Sequence, residues 1–173
     1  MTAEDLKAAV RDVPDFPKEG ILFKDITPVL QNPELFSFAV SLFEEQARAR
    51  GATIVAAVDA RGFFFGGALC ERLGVGLVPI RKQGKLPYKT YEESYELEYG
   101  SATLAVHQDA FKPGEKVVLI DDLLATGGTA GASARLIERA GGEVVQIQFL
   151  IELEFLKGRG QIAGYDVFAP VVF

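Results

Sequence analysis

The segment Val117–Thr129 reads VVLIDDLLATGGT: a branched apolar run ends in two carboxylates, Asp121 and Asp122, and continues through Ala125-Thr126-Gly127-Gly128-Thr129. The apolar run has the makeup of a strand covered on both faces. The glycines after it mark a turn into a helical pattern. In open α/β sheets, ligands bind at the carboxyl ends of the strands. There, glycines let backbone N–H groups approach an anion closely, and the dipole of the following helix favours a phosphate. Thr126 and Thr129 add hydroxyl donors, and Asp121 and Asp122 can accept hydrogen bonds from vicinal sugar hydroxyls. This pattern fits the binding of a phosphorylated sugar. A Walker P-loop needs Lys-Ser or Lys-Thr after its last glycine, whereas Gly128 is followed by Thr129-Ala130, and the G-x-G-x-x-G spacing of a dinucleotide fingerprint is absent.

Other groups could act beside it. Asp59-Ala60-Arg61-Gly62 is a tight turn directly after a second buried-strand pattern. A guanidinium matches phosphate oxygens bidentately, so Arg61 suits a diphosphate; a surface salt bridge is the plainer alternative. Arg81-Lys82-Gln83-Gly84-Lys85-Leu86-Pro87-Tyr88-Lys89 carries four cations and no acid. Taken alone, it is a solvated basic loop. Gly20-Ile21-Leu22-Phe23-Lys24-Asp25-Ile26 is loop-like but rich in large apolar groups, which suits a loop packed over something. Taken alone, Phe23 is a core residue. The single cysteine, Cys70, excludes an intramolecular disulfide and a Cys-rich zinc site, and its apolar setting predicts a buried structural thiol. His107 stands outside any metal-ligating cluster, which points to a structural or interface role.

The elements that must position these groups follow from periodicity. Residues 3–12 have helical spacing, broken at Pro14 and Pro17, and the stretch 15–28 is predicted to be a loop. From Pro33, Leu35, Phe38, Ala39, Leu42, Phe43, Gln46 and Ala47 share one side of a helix, with Asn32 as its cap and Gly51 as its stop. Strands are predicted at 53–58, 77–80, 103–106, 116–121 and 144–150, and helices at 64–73 and 129–140. The polar residues before Thr103 form an antiparallel excursion. This alternation predicts an α/β fold with a mostly parallel central sheet flanked by helices. A chain of 173 residues without repeats fits one domain. A net charge of −6 and a pI near 4.9 argue against non-specific nucleic-acid binding. The first residues carry early acids and no apolar h-region, and no run of apolar residues reaches membrane-spanning length. No signal peptide or membrane span is expected, and the cytoplasm is the default.

The thirteen-residue string resembles the phosphoribosyl pyrophosphate signature of type I phosphoribosyltransferases, and its DDLLATGGT wording is similar to that of the adenine phosphoribosyltransferases. The resemblance runs from Asp15 to about Arg159. It implies the type I fold in a single domain spanning 1–173, with a small N-terminal hood over about residues 12–30 and a flexible catalytic loop over about 81–102. It implies that Asp121 and Asp122 hold the ribose hydroxyls, and that Ala125, Thr126, Gly127, Gly128 and Thr129 wrap the 5-phosphate. Asp59, Ala60 and Arg61 resemble the pyrophosphate loop, with alanine where serine is often found and a strained, often cis, peptide at Asp59–Ala60. RKxGKLP resembles the opening of the mobile loop, whose Arg81, Lys82 and Lys85 approach the pyrophosphate on closure. SYxLEYG implies a proton-transfer or cation-stabilising part for Glu98 and a closing part for Tyr99. Phe23 falls where an aromatic stacks on adenine, Leu153 where an apolar side chain covers its other face, and the Leu22 backbone where the amino edge is read. Enzymes for 6-oxopurines place an acid at the position of Ala125. The implied reaction is adenine plus 5-phosphoribosyl 1-pyrophosphate giving AMP and pyrophosphate, in purine salvage. Mg2+ would arrive with the donor, not in a dedicated protein cage, and the assembly would be a homodimer. A transferase for another purine base and a non-catalytic nucleotide-sensing regulator are the alternatives.

Overall fold

The computed structural model describes residues 1–97 and 99–173. Glu98, assigned above to proton transfer, lies outside the described residues. Helix α1 (Ala3–Ala9) opens with Thr2, whose backbone N–H donates to Asp5 Oδ2 at 2.7 Å. It stops short of the predicted end because Arg11–Pro14 (β1) pairs antiparallel with Leu22–Asp25 (β2), Val13 opposite Phe23. The stretch expected to be loop therefore holds a strand and the start of a short helix, α2 (Thr27–Gln31). Pro14 sits at the end of an edge strand, where its missing N–H costs no ladder bond. Asp25 Oδ1 accepts from Thr27 N–H at 2.9 Å, and burial of Ile26 and Val29 anchors the segment. The hairpin β1–β2 is a two-stranded sheet of its own.

Helix α3 (Pro33–Ala49) forms where the periodicity put it. Asn32 Oδ1 accepts from Glu34 and Leu35 N–H at 3.0 and 3.1 Å, and Ala39, Val40, Phe43 and Ala47 are buried. The main sheet follows: β3 (Ile54–Val58), β4 (Gly76–Lys82), β5 (Thr90–Glu96), β6 (Ser101–His107), β7 (Lys116–Leu124), β8 (Glu143–Glu152), β9 (Val167–Phe168) and β10 (Val171–Val172). Its order is β10-β8-β7-β3-β4-β6-β5, with β9 on β8. Pairings from β10 to β4 are parallel, and β4–β6 and β6–β5 are antiparallel. The polar stretch thus makes the predicted antiparallel excursion. Helices α4 (Gly62–Leu73) and α5 (Gly128–Arg139) complete the crossovers. Strand β7 runs past the predicted Asp121 to Leu124 because β8 extends beside it to Glu152.

The path β3–α4–β4 leads one way across the sheet and β7–α5–β8 the other. Right-handed crossovers then place the two helices on opposite faces. Phe65 and Leu69 of α4 pack with Val55, Ala57 and Val118 on one side; Leu136 and Ile137 of α5 pack with Ala56, Val58 and Leu119 on the other. The reversal between β3 and β7 is the topological switch point, where such sheets bind ligands. Cys70 is half-buried, not enclosed as predicted, and its thiol donates to Gly67 O at 3.1 Å, because its end of α4 lies near the surface. His107 closes β6, and its Nε2 accepts from Tyr88 N–H at 3.3 Å, a structural contact at the root of the basic loop. Among the described residues, no helix is long and apolar enough to cross a membrane.

Candidate active site

At the switch point the chain leaves β3 through Asp59–Ala60, a cis peptide, and enters α4 at Gly62. A Cβ on Gly62 would lie 2.9 Å from Ile120 O and 3.1 Å from Asp121 Oδ1. Only glycine lets the start of α4 press against β7 this closely. That contact brings Arg61 over the two aspartates. Across the cleft, β7 turns into α5 through Gly127, which has φ 87° and whose added Cβ would lie 2.3 Å from Gly158 O. The loop 125–129 is therefore held against a 3-10 turn, Gly158–Ile162, that lay outside every motif recognised in the sequence.

The cleft is strongly polarised. Arg61 Nε meets Asp122 Oδ2 at 2.5 Å, and the Asp122 backbone N–H donates to Asp121 Oδ1 at 2.8 Å. Burial, and then the neighbouring charge of Asp122, push the Asp121 carboxyl well above the usual carboxylate range. Burial opposes the charge of Arg61, but Asp122, Asp121 and Asp25 outweigh it and hold the guanidinium above its ordinary value. An anion-rich floor below one arginine suits hydroxyl donors at the aspartates and an anion beyond the arginine.

A cavity of about 370 Å³ gathers most of the residues singled out in the sequence: Asp59, Ala60, Arg61 and Lys82 on one wall, and Asp121, Asp122, Ala125, Thr126, Gly127, Gly128 and Thr129 on the other. Arg81 and Lys85 do not line it. Arg81 turns onto Asp59, Nε to Oδ2 at 3.0 Å, and donates to the Lys85 carbonyl at 3.4 Å, while Lys85 is exposed. Tyr95, Leu104 and Phe149 line the cavity without having been anticipated. Tyr95 lay inside the recognised SYxLEYG string, and inward alternation along β5 was the signal that could have marked it.

The residues assigned to the base stand apart from this cavity. Phe23 packs edge-on against Phe16, centroids 5.1 Å apart, and Arg61 lies 5.7 Å from its ring centre. Leu22 is exposed, and Leu153 is half-buried with its N–H donating to Leu124 O at 2.9 Å. Tyr99 is exposed, with Lys18 of the turn between β1 and β2 5.3 Å from its ring centre. The hairpin thus touches the cleft through Arg61 and the β5–β6 turn through Tyr99.

A family model described as phosphoribosyl transferase domain matches residues 28–167. The chain is 53% identical to an adenine phosphoribosyltransferase of Christiangramia forsetii over 163 residues, covering 94% of this chain and 95% of that one. The crystal structure of adenine phosphoribosyltransferase from Thermoanaerobacter pseudethanolicus superposes with a TM-score of 0.96 at 50% identity, covering 99% of this chain and 100% of that chain. That of the Saccharomyces cerevisiae enzyme, complexed with an imino-altritol bisphosphate and adenine, superposes with a TM-score of 0.92 at 39% identity, covering 96% and 97%.

Proposed function

The chain belongs to the adenine phosphoribosyltransferases, and from that premise we propose how its residues make AMP and pyrophosphate from adenine and 5-phosphoribosyl 1-pyrophosphate. The observation that carries the proposal is the cavity at the switch point, where Asp121, Asp122 and the 126–129 loop face Asp59, Ala60 and Arg61. In this reading the whole chain works as one domain.

Backbone N–H groups of the 125–129 loop and the hydroxyls of Thr126 and Thr129 hold the 5-phosphate at the start of α5. Asp121 and Asp122 accept from the ribose hydroxyls. Arg61 and Lys82, with the backbone of Asp59–Ala60, hold the pyrophosphate, and Arg81 and Lys85 join them when the loop 81–102 closes. Adenine lies under the hood of residues 12–30, between Phe23 and Leu153, with its amino edge read by the Leu22 backbone. Its N9 attacks C1 as the C1–O bond to pyrophosphate breaks; Glu98 assists the proton's departure, and Tyr99 helps close the site. Closure excludes water, which would otherwise hydrolyse the donor. Positioning and electrostatics supply the acceleration.

Mg2+ is the cofactor in this reading. Among the described residues, no three His, Cys, Asp or Glu side chains form a metal cage. The carboxylates of Asp121 and Asp122 at the cavity are the hard oxygen donors that suit an ion shared with a substrate diphosphate. When bound, the ion supplies charge neutralisation on the leaving group. Two chains pair as a homodimer, a reading supported by the exposed apolar Phe64 and Leu77 (53% and 39% exposed) on α4 and β4. The donor and AMP are charged phosphates held inside the cell, which supports a cytoplasmic enzyme. The test is incubation of the donor with adenine, guanine, hypoxanthine and xanthine, reading nucleotide and pyrophosphate. Adenine turnover far above the others is expected, since Ala125 offers no acid to a 6-oxopurine. Comparable turnover of a 6-oxopurine would overturn the assignment of the base.

A further inference from the structure

Among the described residues, strand β5 is a sheet edge paired only with β6, yet it is fastened along α5, the helix that starts in the phosphate loop. Arg135 Nε meets Glu93 Oε1 at 2.7 Å, Arg139 donates to Glu92 O at 3.2 Å, and the Arg139 guanidinium lies 4.7 Å from the ring centre of Tyr91. At the first turn of α5 the row ends in Tyr95. Its ring edge comes so near Gly128 that an added Cβ there would lie 2.9 Å from Cδ2. Its hydroxyl stands 2.9 Å from Thr129 Oγ1, and both residues line the cavity.

A threonine hydroxyl has one hydrogen and two lone pairs. With the tyrosine donating, the Thr129 hydrogen is left for an acceptor in the cavity. With the threonine donating, that hydrogen points to the phenol and the cavity loses a donor. An anion in the cavity selects the first arrangement.

We infer that Tyr95 is a positioning residue: its hydroxyl donates to Thr129 Oγ1 and turns the Thr129 hydrogen toward the 5-phosphate. The inference rests on the phosphoribosyl reading above. A phenylalanine would pack on Gly128 as the tyrosine does, so the hydroxyl alone carries the effect.

The test is a double-mutant cycle of Tyr95→Phe and Thr129→Val, with ribose 5-phosphate binding measured by calorimetry and then the kinetics. Tyr95→Phe should bind ribose 5-phosphate roughly 3- to 10-fold more weakly, the change that one net hydrogen bond brings. The KM for the donor should rise in parallel, while kcat, the KM for adenine and the thermal midpoint stay near wild type. In the Thr129→Val background Tyr95→Phe should change nothing further, and Thr129→Ser should restore its effect. A Tyr95→Phe effect of equal size in both backgrounds, or one on adenine instead of the donor, would overturn the inference. If the wild-type protein fails to bind ribose 5-phosphate, the phosphoribosyl reading falls and the inference with it. If it binds but does not turn over adenine, only the base assignment falls, and the binding cycle still decides Tyr95.

Discussion

Arg61 Nε lies 2.5 Å from Oδ2 of Asp122, whose side chain is only 6% exposed, so the arginine proposed for the pyrophosphate is the counterion of an acid proposed for the ribose. Donor binding must exchange this pair for hydroxyls on the acid and phosphate oxygens on the arginine. Arg61→Gln leaves a buried carboxylate without its partner. Its stability should fall by on the order of 1–3 kcal/mol, the cost of an unsatisfied buried group, toward the lower end because the arginine is half exposed, and the thermal midpoint with it. The KM for the donor should rise about 10- to 100-fold, as for a lost charge-assisted bond. Arg61→Lys should recover much of the midpoint but little of the KM, because an ammonium cannot match two oxygens as a planar fork does. Calorimetry and steady-state kinetics on both variants check this; full kinetic recovery by lysine would refute the bidentate role.

Asp121 carries the opposite stability sign. Its carboxyl is pushed up by burial and by Asp122, so the folded protein holds that proton more tightly than the unfolded chain does. Its contribution is therefore most favourable below the ordinary carboxylate range and is lost as pH rises from there through the raised folded value. Asp121→Asn removes the charge but keeps an oxygen to accept from the Asp122 N–H, now at 2.8 Å. At neutral pH its thermal midpoint should exceed that of wild type by a few degrees, the gap closing as pH falls toward 4. Binding of ribose 5-phosphate should weaken over the same range. A midpoint below wild type at neutral pH would show that the carboxylate is stabilising and the sign wrong.

The parts of this molecule legible in the sequence are those whose signal is local. Buried parallel strands read as continuous apolar runs, and Asn32 before Pro33 has the makeup of a cap, so β3, α3 and the start of β7 are legible close to their observed bounds. The glycine loop and the Asp121-Asp122 pair are contiguous, and their chemistry could be read directly. What could not be read depends on distant partners. Strand β2 exists because β1 pairs with it, and the end of β7 is set by β8. Arg81 carries the same charge in sequence as Arg61, yet it is turned to Asp59 by a contact 22 residues away in the chain. Tyr95 reached the phosphate loop only through the docking of β5 on α5, which no local spacing announces.

The same long-range dependence sets the fate of the phosphate loop. Gly127 has φ 87°, and an added Cβ would lie 2.3 Å from Gly158 O; a Cβ on Gly158 would lie 2.3 Å from Ala125 O. Both obstacles are backbone atoms, so no side chain can swing aside. Gly127→Ala adds about 1–2 kcal/mol of left-handed strain to that collision. Either alanine should push the loop and the 158–162 turn apart and misdirect the N–H groups meant for the 5-phosphate. Ribose 5-phosphate affinity should fall by about 100-fold or more, the loss of two or more charge-assisted bonds. The helical and sheet content seen by circular dichroism should persist, because the core clusters reach this contact through Leu124 and Ile162 and are otherwise built mainly from the sheet and the helices packed on it. Gly160→Ala, in the same turn with open space around its Cβ position, should bind as wild type does. Wild-type affinity in both Gly127→Ala and Gly158→Ala would mean that the loop does not need this contact to hold the phosphate.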